Sequence, residues 1–213
     1  MGRLRDRRSR QIAPKPERLT PIEATSVPVV ASTAWQMVFD HGQVDEMKRV
    51  LVHGGAGNVG AYAVQLAKWA GAEVTATSRA GDVGFVYSLG ADRVIDTDRM
   101  RFEDEVRDFD VVIDTIGGEV LDRSFDVLRT GGVLVSVVGQ PDQDKAAQRG
   151  VRAVFFLVVV SSGGLMGIGE LFDAGRLRTN VGEVLPFADA RMAHEMLAGK
   201  PHKPGKIVLA VDA

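Results

Sequence analysis

The 213 residues carry 26 Lys and Arg against 28 Asp and Glu, a formal net charge of −2, with 45% hydrophobic residues and no cysteine. A chain of this length can bury one α/β core plus an appendage, and its near-neutral charge gives it no general attraction to nucleic acid or to an anionic membrane. The lack of cysteine excludes disulfides, thiolate zinc sites and a cysteine nucleophile together, and it suits a reducing cytosol, so a cytoplasmic protein is expected.

Met1–Arg10 holds Arg3, Arg5, Arg7, Arg8 and Arg10 with almost nothing apolar, the composition of a disordered tail. A nucleic-acid arm or a transit peptide is the sharper alternative, and Asp6 and the missing amphipathic follow-through argue against the latter. No apolar segment follows the basic stretch, so no signal peptide is read. Pro14, Pro16 and Pro21 make Ala13–Pro21 an extended linker. Ile22–Phe39 reads as two helical pieces broken near Pro28, with Thr33 in the second.

Arg49–His53 reads as a buried strand and Asn58–Ala70 as a helix whose apolar face is Val59, Ala63, Leu66, Ala67 and Ala70. Gly71 ends it as a glycine cap would. Strands follow at Glu73–Thr77, Arg93–Asp96, Asp110–Asp114, Val133–Val138 and Arg152–Val160. Helices are read at Asp82–Leu89, Phe102–Arg107, Gly118–Leu128 and Gly163–Gly175, with Gln140–Gly150 as a polar loop. The apolar run Ala153–Val160 is far too short to span a bilayer as a helix. Alternating strands and helices imply right-handed crossovers and a doubly wound, six-stranded parallel sheet of the Rossmann type, an α/β fold. A strand near Val181–Leu185, a helix Phe187–Ala198 and a strand Lys206–Val211 form a short C-terminal α/β appendage. The expected division is 1–21 tail and linker, 22–175 dinucleotide-binding domain and 176–213 C-terminal segment.

The stretch carrying chemistry is Gly55-Ala56-Gly57-Asn58-Val59-Gly60, a G-x-G-x-x-G between a strand and a helix. Gly55 is assigned to the tight turn, Gly57 to close approach of a pyrophosphate and Gly60 to close helix packing. The helix N-terminus then faces the phosphates. An NAD site places an acidic residue at the tip of the second strand; here Thr77, Ser78 and Arg79 stand there. A hydroxyl and a guanidinium suit a 2′-phosphate, so NADP(H) is read over NAD. The fourth and fifth strands end in Thr115-Ile116-Gly117 and Val138-Gly139, where a ligand can lie against backbone or where ordinary turns stand.

Other chemistries drop out. His41, His53, His194 and His202 lack metal-binding spacing and read as structural, so no metal is expected. There is no G-x-S-x-G and no Gly-Lys-Ser/Thr, and Tyr62 and Tyr87 are followed four residues on by Leu66 and Ala91, which excludes a Tyr-x-x-x-Lys pair. No side chain stands out as acid, base or nucleophile, and hydride transfer needs none because the cofactor does the chemistry.

Six stretches then come in one familiar order. They are Ala31–Trp35, Val50–Gly60, Ser88–Asp96, Asp110–Gly118, Leu128–Val135 and Gly205–Leu209. Together they resemble the cofactor half of medium-chain dehydrogenases/reductases, in the zinc-free quinone oxidoreductase-like branch, over nearly everything from Ala13 onward. The resemblance implies NADPH-dependent reduction of a small molecule, a quinone or activated carbonyl compound. It implies that Gly55–Gly60 hold the pyrophosphate, that Thr77, Ser78 and Arg79 lie at the 2′-phosphate, and that Thr33, Gly117, Val138 and Gly139 approach the nicotinamide. It also implies a homodimer through the strand at 152–160; no nucleic-acid or membrane partner is expected from the charge.

Members of that family begin with a barrel-like domain that forms most of the substrate pocket, and the match here starts at the linker before the cofactor domain. The strands near Val181–Leu185 and Lys206–Val211 are therefore expected to lack partners. Members often carry a Lys after the second strand and a Tyr after the third; Asp82–Gly84 and Thr97 stand here, which leaves Arg79 carrying the NADP reading. Slow turnover by the isolated chain follows. The alternative is a non-catalytic dinucleotide-binding module; a methyltransferase would also want an acidic residue at the second strand's tip.

Overall fold

The computed structural model describes residues 10–211, so all but Arg10 of the arginine-rich start lies outside the described residues. The chain divides into two compact units, one of residues 33–157 and one of residues 1–32 with 158–213.

The first unit is a six-stranded parallel sheet. Its strands are β1 (Arg49–His53), β2 (Glu73–Ser78), β3 (Arg93–Asp96), β4 (Phe109–Asp114), β5 (Leu128–Ser136) and β6 (Arg152–Phe155), in the order β3-β2-β1-β4-β5-β6. The order reverses between β1 and β4, which is where ligands bind in such sheets, outside the carboxyl ends of the strands. Val50, Leu51 and Val52 of β1 and Val112 and Ile113 of β4 are wholly buried, as central parallel strands covered on both faces must be. Ile95, Phe102, Phe109, Phe125 and Leu134 pack around Leu51 and Val112 as the core.

The crossovers are α3 (Gly60–Trp69), α4 (Val83–Ser88), α5 (Phe102–Glu105), α6 (Gly118–Arg123) and α7 (Gln143–Arg149); α1 (Pro21–Thr25) and α2 (Pro28–Trp35) precede the sheet. Helix α7 lies inside the expected polar loop. The Asp142 side chain caps it by accepting from Lys145 N at 3.0 Å, and Gly150 closes it at φ 64°, so the caps stabilise a helix that its polar composition conceals.

Strand β6 is shorter than the expected 152–160. Phe155 pairs with Ser136, the last residue of β5, so among the described residues the strand pairing does not continue past Phe155. Strand β6, one of the two sheet edges, is thus the four residues Arg152–Phe155.

In the second unit, α8 (Ser162–Asp173) precedes β7 (Val181–Pro186), α9 (Ala190–Leu197) and β8 (Lys206–Ala210). The two strands do not lack partners. They pair with each other in parallel, Val184 beside Val208 and Leu185 beside Leu209. The linker is tied to α8: Arg18 N donates to Asp173 Oδ1 at 3.1 Å, and Ile12 N donates to Ser162 Oγ at 3.2 Å. Helix α8 thus groups with the C-terminal residues, while the sheet-bearing unit ends at Leu157. Among the described residues, no helix is long and apolar enough to cross a membrane.

Candidate functional site

The residues of interest all fall in the sheet-bearing unit, at the carboxyl ends of β1, β2, β4 and β5, apart from Thr33, which is buried within α2. Strand β1 ends at His53 and the chain turns sharply. The left-handed residue is Gly54, at φ 72°, not Gly55 as the motif predicts. Gly55 is needed for close approach instead: a Cβ there would stand 2.9 Å from the Ala76 Cβ on β2, and Gly55 N donates to Thr77 O at 2.9 Å. The paired glycines of His53-Gly54-Gly55 were the available signal. Gly60 has the role the motif predicts, since a Cβ on it would overlap the Gly54 carbonyl. Gly57 N donates to Gly54 O at 2.9 Å, and Ala61 N donates to Gly57 O at 2.9 Å.

The turn thus packs tightly inside while Gly57 and Asn58 are exposed and Ala56 and Val59 half-exposed. No side chain caps α3 at Val59. A helix N-terminus leaves backbone donors and the positive end of its dipole for an anion. The exposed Gly57 presents backbone without a side chain beside that helix start.

At the tip of β2 the two hydroxyls are buried. Thr77 Oγ1 accepts from Gly54 N at 3.1 Å and meets His53 Nδ1 at 3.2 Å, so its hydroxyl faces the interior. Ser78 O accepts from Thr97 N at 2.9 Å and from the Thr97 hydroxyl at 3.1 Å. Arg79 is exposed and makes no ion pair among the described residues. A carboxylate stands close by in space: Asp98 Oδ2 accepts from Ala80 N at 2.9 Å. It is committed to backbone, and it comes from the loop after β3.

Strands β4 and β5 are joined at their ends by a network that sequence reasoning missed. Asp114 is wholly buried. Its Oδ1 accepts from Ile116 N at 3.1 Å and Gly117 N at 3.0 Å, and its Oδ2 accepts from the Ser136 hydroxyl at 2.8 Å. Ser136 Oγ in turn accepts from Val138 N and Gly139 N, each at 3.3 Å. One carboxylate therefore fixes both loops that carry Gly117, Val138 and Gly139. A Cβ on Gly117 would meet Val138 Cγ2 at 3.1 Å, so the two loops lie against each other. Ile116 and Val138 are exposed and apolar. Thr115 donates its hydroxyl to His53 O at 2.7 Å, tying this end to β1.

His53 is wholly buried with its ring 4.4 Å from that of Phe102. Burial pushes its pKa down to about 3, the Arg123 charge pushes the same way, and Glu103 opposes them. His53 is therefore neutral at physiological pH. Burial works against ionised Glu103, yet its own backbone N–H and its bonds to Arg101 and Arg123 hold it below the usual carboxylate range.

The zinc-binding dehydrogenase family matches residues 89–209, more than half of the chain. The chain belongs to that family. A probable zinc-binding oxidoreductase, mitochondrial, of Arthroderma benhamiae is 34% identical over 94% of this chain and 66% of its own length. The NAD(P)H oxidoreductase RTN4IP1, mitochondrial, of Danio rerio is 30% identical over 94% of this chain and 60% of its own length. The solved structure of a quinone oxidoreductase from Coxiella burnetii superposes with a TM-score of 0.85 at 32% identity, over 93% of this chain and 63% of that one. This chain thus spans about two thirds of such relatives or less. All sit in the medium-chain dehydrogenase/reductase superfamily, as the sequence resemblance implied.

The family's name raises the question of zinc. The chain contains no cysteine, and among the described residues no three of His, Asp and Glu gather as ligands. These residues do not fit a zinc site, and no chemistry is routed through one.

Proposed function

We propose that this chain is the cofactor-binding part of an NADPH-dependent reductase acting on a quinone or similar activated carbonyl compound. The observation that carries the reading is Arg79, an exposed guanidinium without an ion pair at the tip of β2, where the strand itself offers no carboxylate. An unpaired guanidinium suits a 2′-phosphate through charge-assisted hydrogen bonds. The glycine turn and the start of α3 would hold the pyrophosphate. The loops fixed by Asp114 would flank the nicotinamide, with Ile116 and Val138 giving an apolar surface that excludes water.

A bound nicotinamide supplies the hydride. This chain's contribution is position. Asp114 is the acid nearest these loops in sequence, and both its oxygens are occupied by donors. The Thr115 hydroxyl is spent on His53 O. Neither is left as an outward-facing acid or base. The names of the relatives, an NAD(P)H oxidoreductase and a quinone oxidoreductase among them, support the reaction class.

The test is a fluorescence titration of the chain with NADPH and with NADH, repeated on Arg79→Ala. NADPH is expected to bind more tightly to the parent chain. Loss of one charged hydrogen-bonding partner is expected to weaken NADPH by roughly 10- to 100-fold and to leave NADH unchanged. Equal affinities for the two cofactors in the parent chain, or equal losses in the variant, would refute the NADP reading.

A further inference from the structure

Thr77 and His53 form one hydrogen-bond chain whose direction is fixed at its Ser124 end. The Ser124 hydroxyl lies 2.7 Å from Val120 O, and a carbonyl only accepts, so Ser124 donates its one proton there. Ser124 Oγ then accepts at its 3.1 Å contact with His53 Nε2, which must carry the imidazole N–H. His53 is neutral, so Nδ1 is bare and accepts at 3.2 Å from the Thr77 hydroxyl. Gly54 N can only donate, and it donates to Thr77 Oγ1 at 3.1 Å. Every donor meets an acceptor in the order Gly54, Thr77, His53, Ser124, Val120. The reverse direction would need the Ser124 proton for His53 Nε2, and that proton is taken by Val120 O at 2.7 Å. The Thr115 hydroxyl adds a second bond, to His53 O at 2.7 Å.

We propose that Thr77 and His53 are positioning residues that latch the glycine turn to the tip of β2, and that Thr77 is not a ligand of the 2′-phosphate. The one proton of Thr77 is spent on His53, and the residue is buried. Its oxygen instead fixes the N–H of Gly54, the left-handed residue from which the phosphate-facing turn springs. The turn serves NADP and NAD alike, so the latch governs affinity for both and selectivity for neither. This role is proposed in place of the expected contact between Thr77 and the 2′-phosphate, and it rests on the dinucleotide reading above.

Thr77→Val keeps the shape of the side chain and removes its hydroxyl. It is expected to weaken NADPH and NADH by the same factor, on the order of tenfold, with their ratio unchanged. Thr77→Ser restores the hydroxyl and is expected to bind both as the parent does. The ¹⁵N spectrum of His53 in the unmodified chain is expected to show the Nε2–H tautomer, with the Nδ1 resonance moving in Thr77→Val. A selective loss of NADPH in Thr77→Val would overturn the proposal, as would unchanged affinities or an Nδ1–H tautomer. The tautomer is read on the unmodified chain, so it decides the latch even if Thr77→Val fails to fold. If the unmodified chain binds neither dinucleotide, the functional reading fails while the tautomer still tests the latch.

Discussion

Two strand-helix-strand stretches in this chain share a topology and differ in everything that makes a site. In the first, β1, α3 and β2 run from Arg49 to Ser78; in the second, β7, α9 and β8 run from Val181 to Ala210. Both pair their strands in parallel. Strand β1 is buried along its apolar length and α3 buries Gly60 through Leu66 and Ala67. Strand β7 has no fully buried residue, and α9 buries only Ala193. The first connection is a glycine turn that brings a helix start against two strand tips. The second is Pro186 and a single turn at Phe187–Asp189, with Phe187 exposed. A parallel crossover therefore does not by itself make a nucleotide site. What sets the first apart is glycines that let the backbone close on itself and an enclosed polar network beneath them.

The largest effect that would sharpen this contrast is at Leu51 on β1, wholly buried between β2 and β4. Leu51→Ala is expected to lower stability by roughly 2–5 kcal/mol, through lost transfer energy and the cavity left behind. A shift in urea midpoint at constant slope measures it.

A smaller effect comes from His53, through pH. Its pKa is about 3 in the folded chain against 6.5 when unfolded. Below 6.5 the unfolded chain takes up a proton that the folded chain refuses, so stability is full above pH 6.5 and falls as pH drops toward 3. Between pH 6.5 and 5 the loss is expected to be about 1.7 kcal/mol, the slope rising toward about 1.36 kcal/mol per unit as the unfolded imidazole becomes fully protonated. Asp92, Asp110 and Glu103 have lowered pKa values and add acid sensitivity only below that window. Urea unfolding at pH 6.5 and 5 for the parent and His53→Gln decides it: the parent loses stability over that interval and the variant does not. Equal slopes would mean that His53 is hydrated and can charge in place.

How much was legible beforehand follows the same division. The six strands of the sheet were readable because their apolar centres and the glycines after them are local signals. That the sheet is parallel and doubly wound followed from alternation and handedness rules. Helix α7 was not readable as a helix because Gln143–Arg149 is polar throughout, although Asp142 and Gly150 mark its two ends. The end of β6 was misplaced because composition shows how apolar a strand is and not where its neighbour stops. The site was half legible. Gly60 acts as its motif says, while the turn residue is one position earlier. The Asp114–Ser136 and His53–Ser124 contacts join residues 22 and 71 positions apart, and no local pattern announces such pairs.

The smallest expected effect is the most informative about the second unit. Val184 on β7 pairs with Val208 and is 45% exposed. With so much of its side chain already in water, Val184→Ala removes little burial, and a change within about 0.5 kcal/mol is expected. The amides of β7 and β8 are expected to exchange with solvent well before those of β1 and β4, because local opening there exposes little new apolar surface. A loss near that of Leu51→Ala, or protection equal to that of β1, would show that the exposed face of β7 is covered in solution. Parallel strands are rarely left open to water, so the covering surface would then be the missing half of that sheet's core, and the contrast between the two crossovers would be one of partners rather than of sequence.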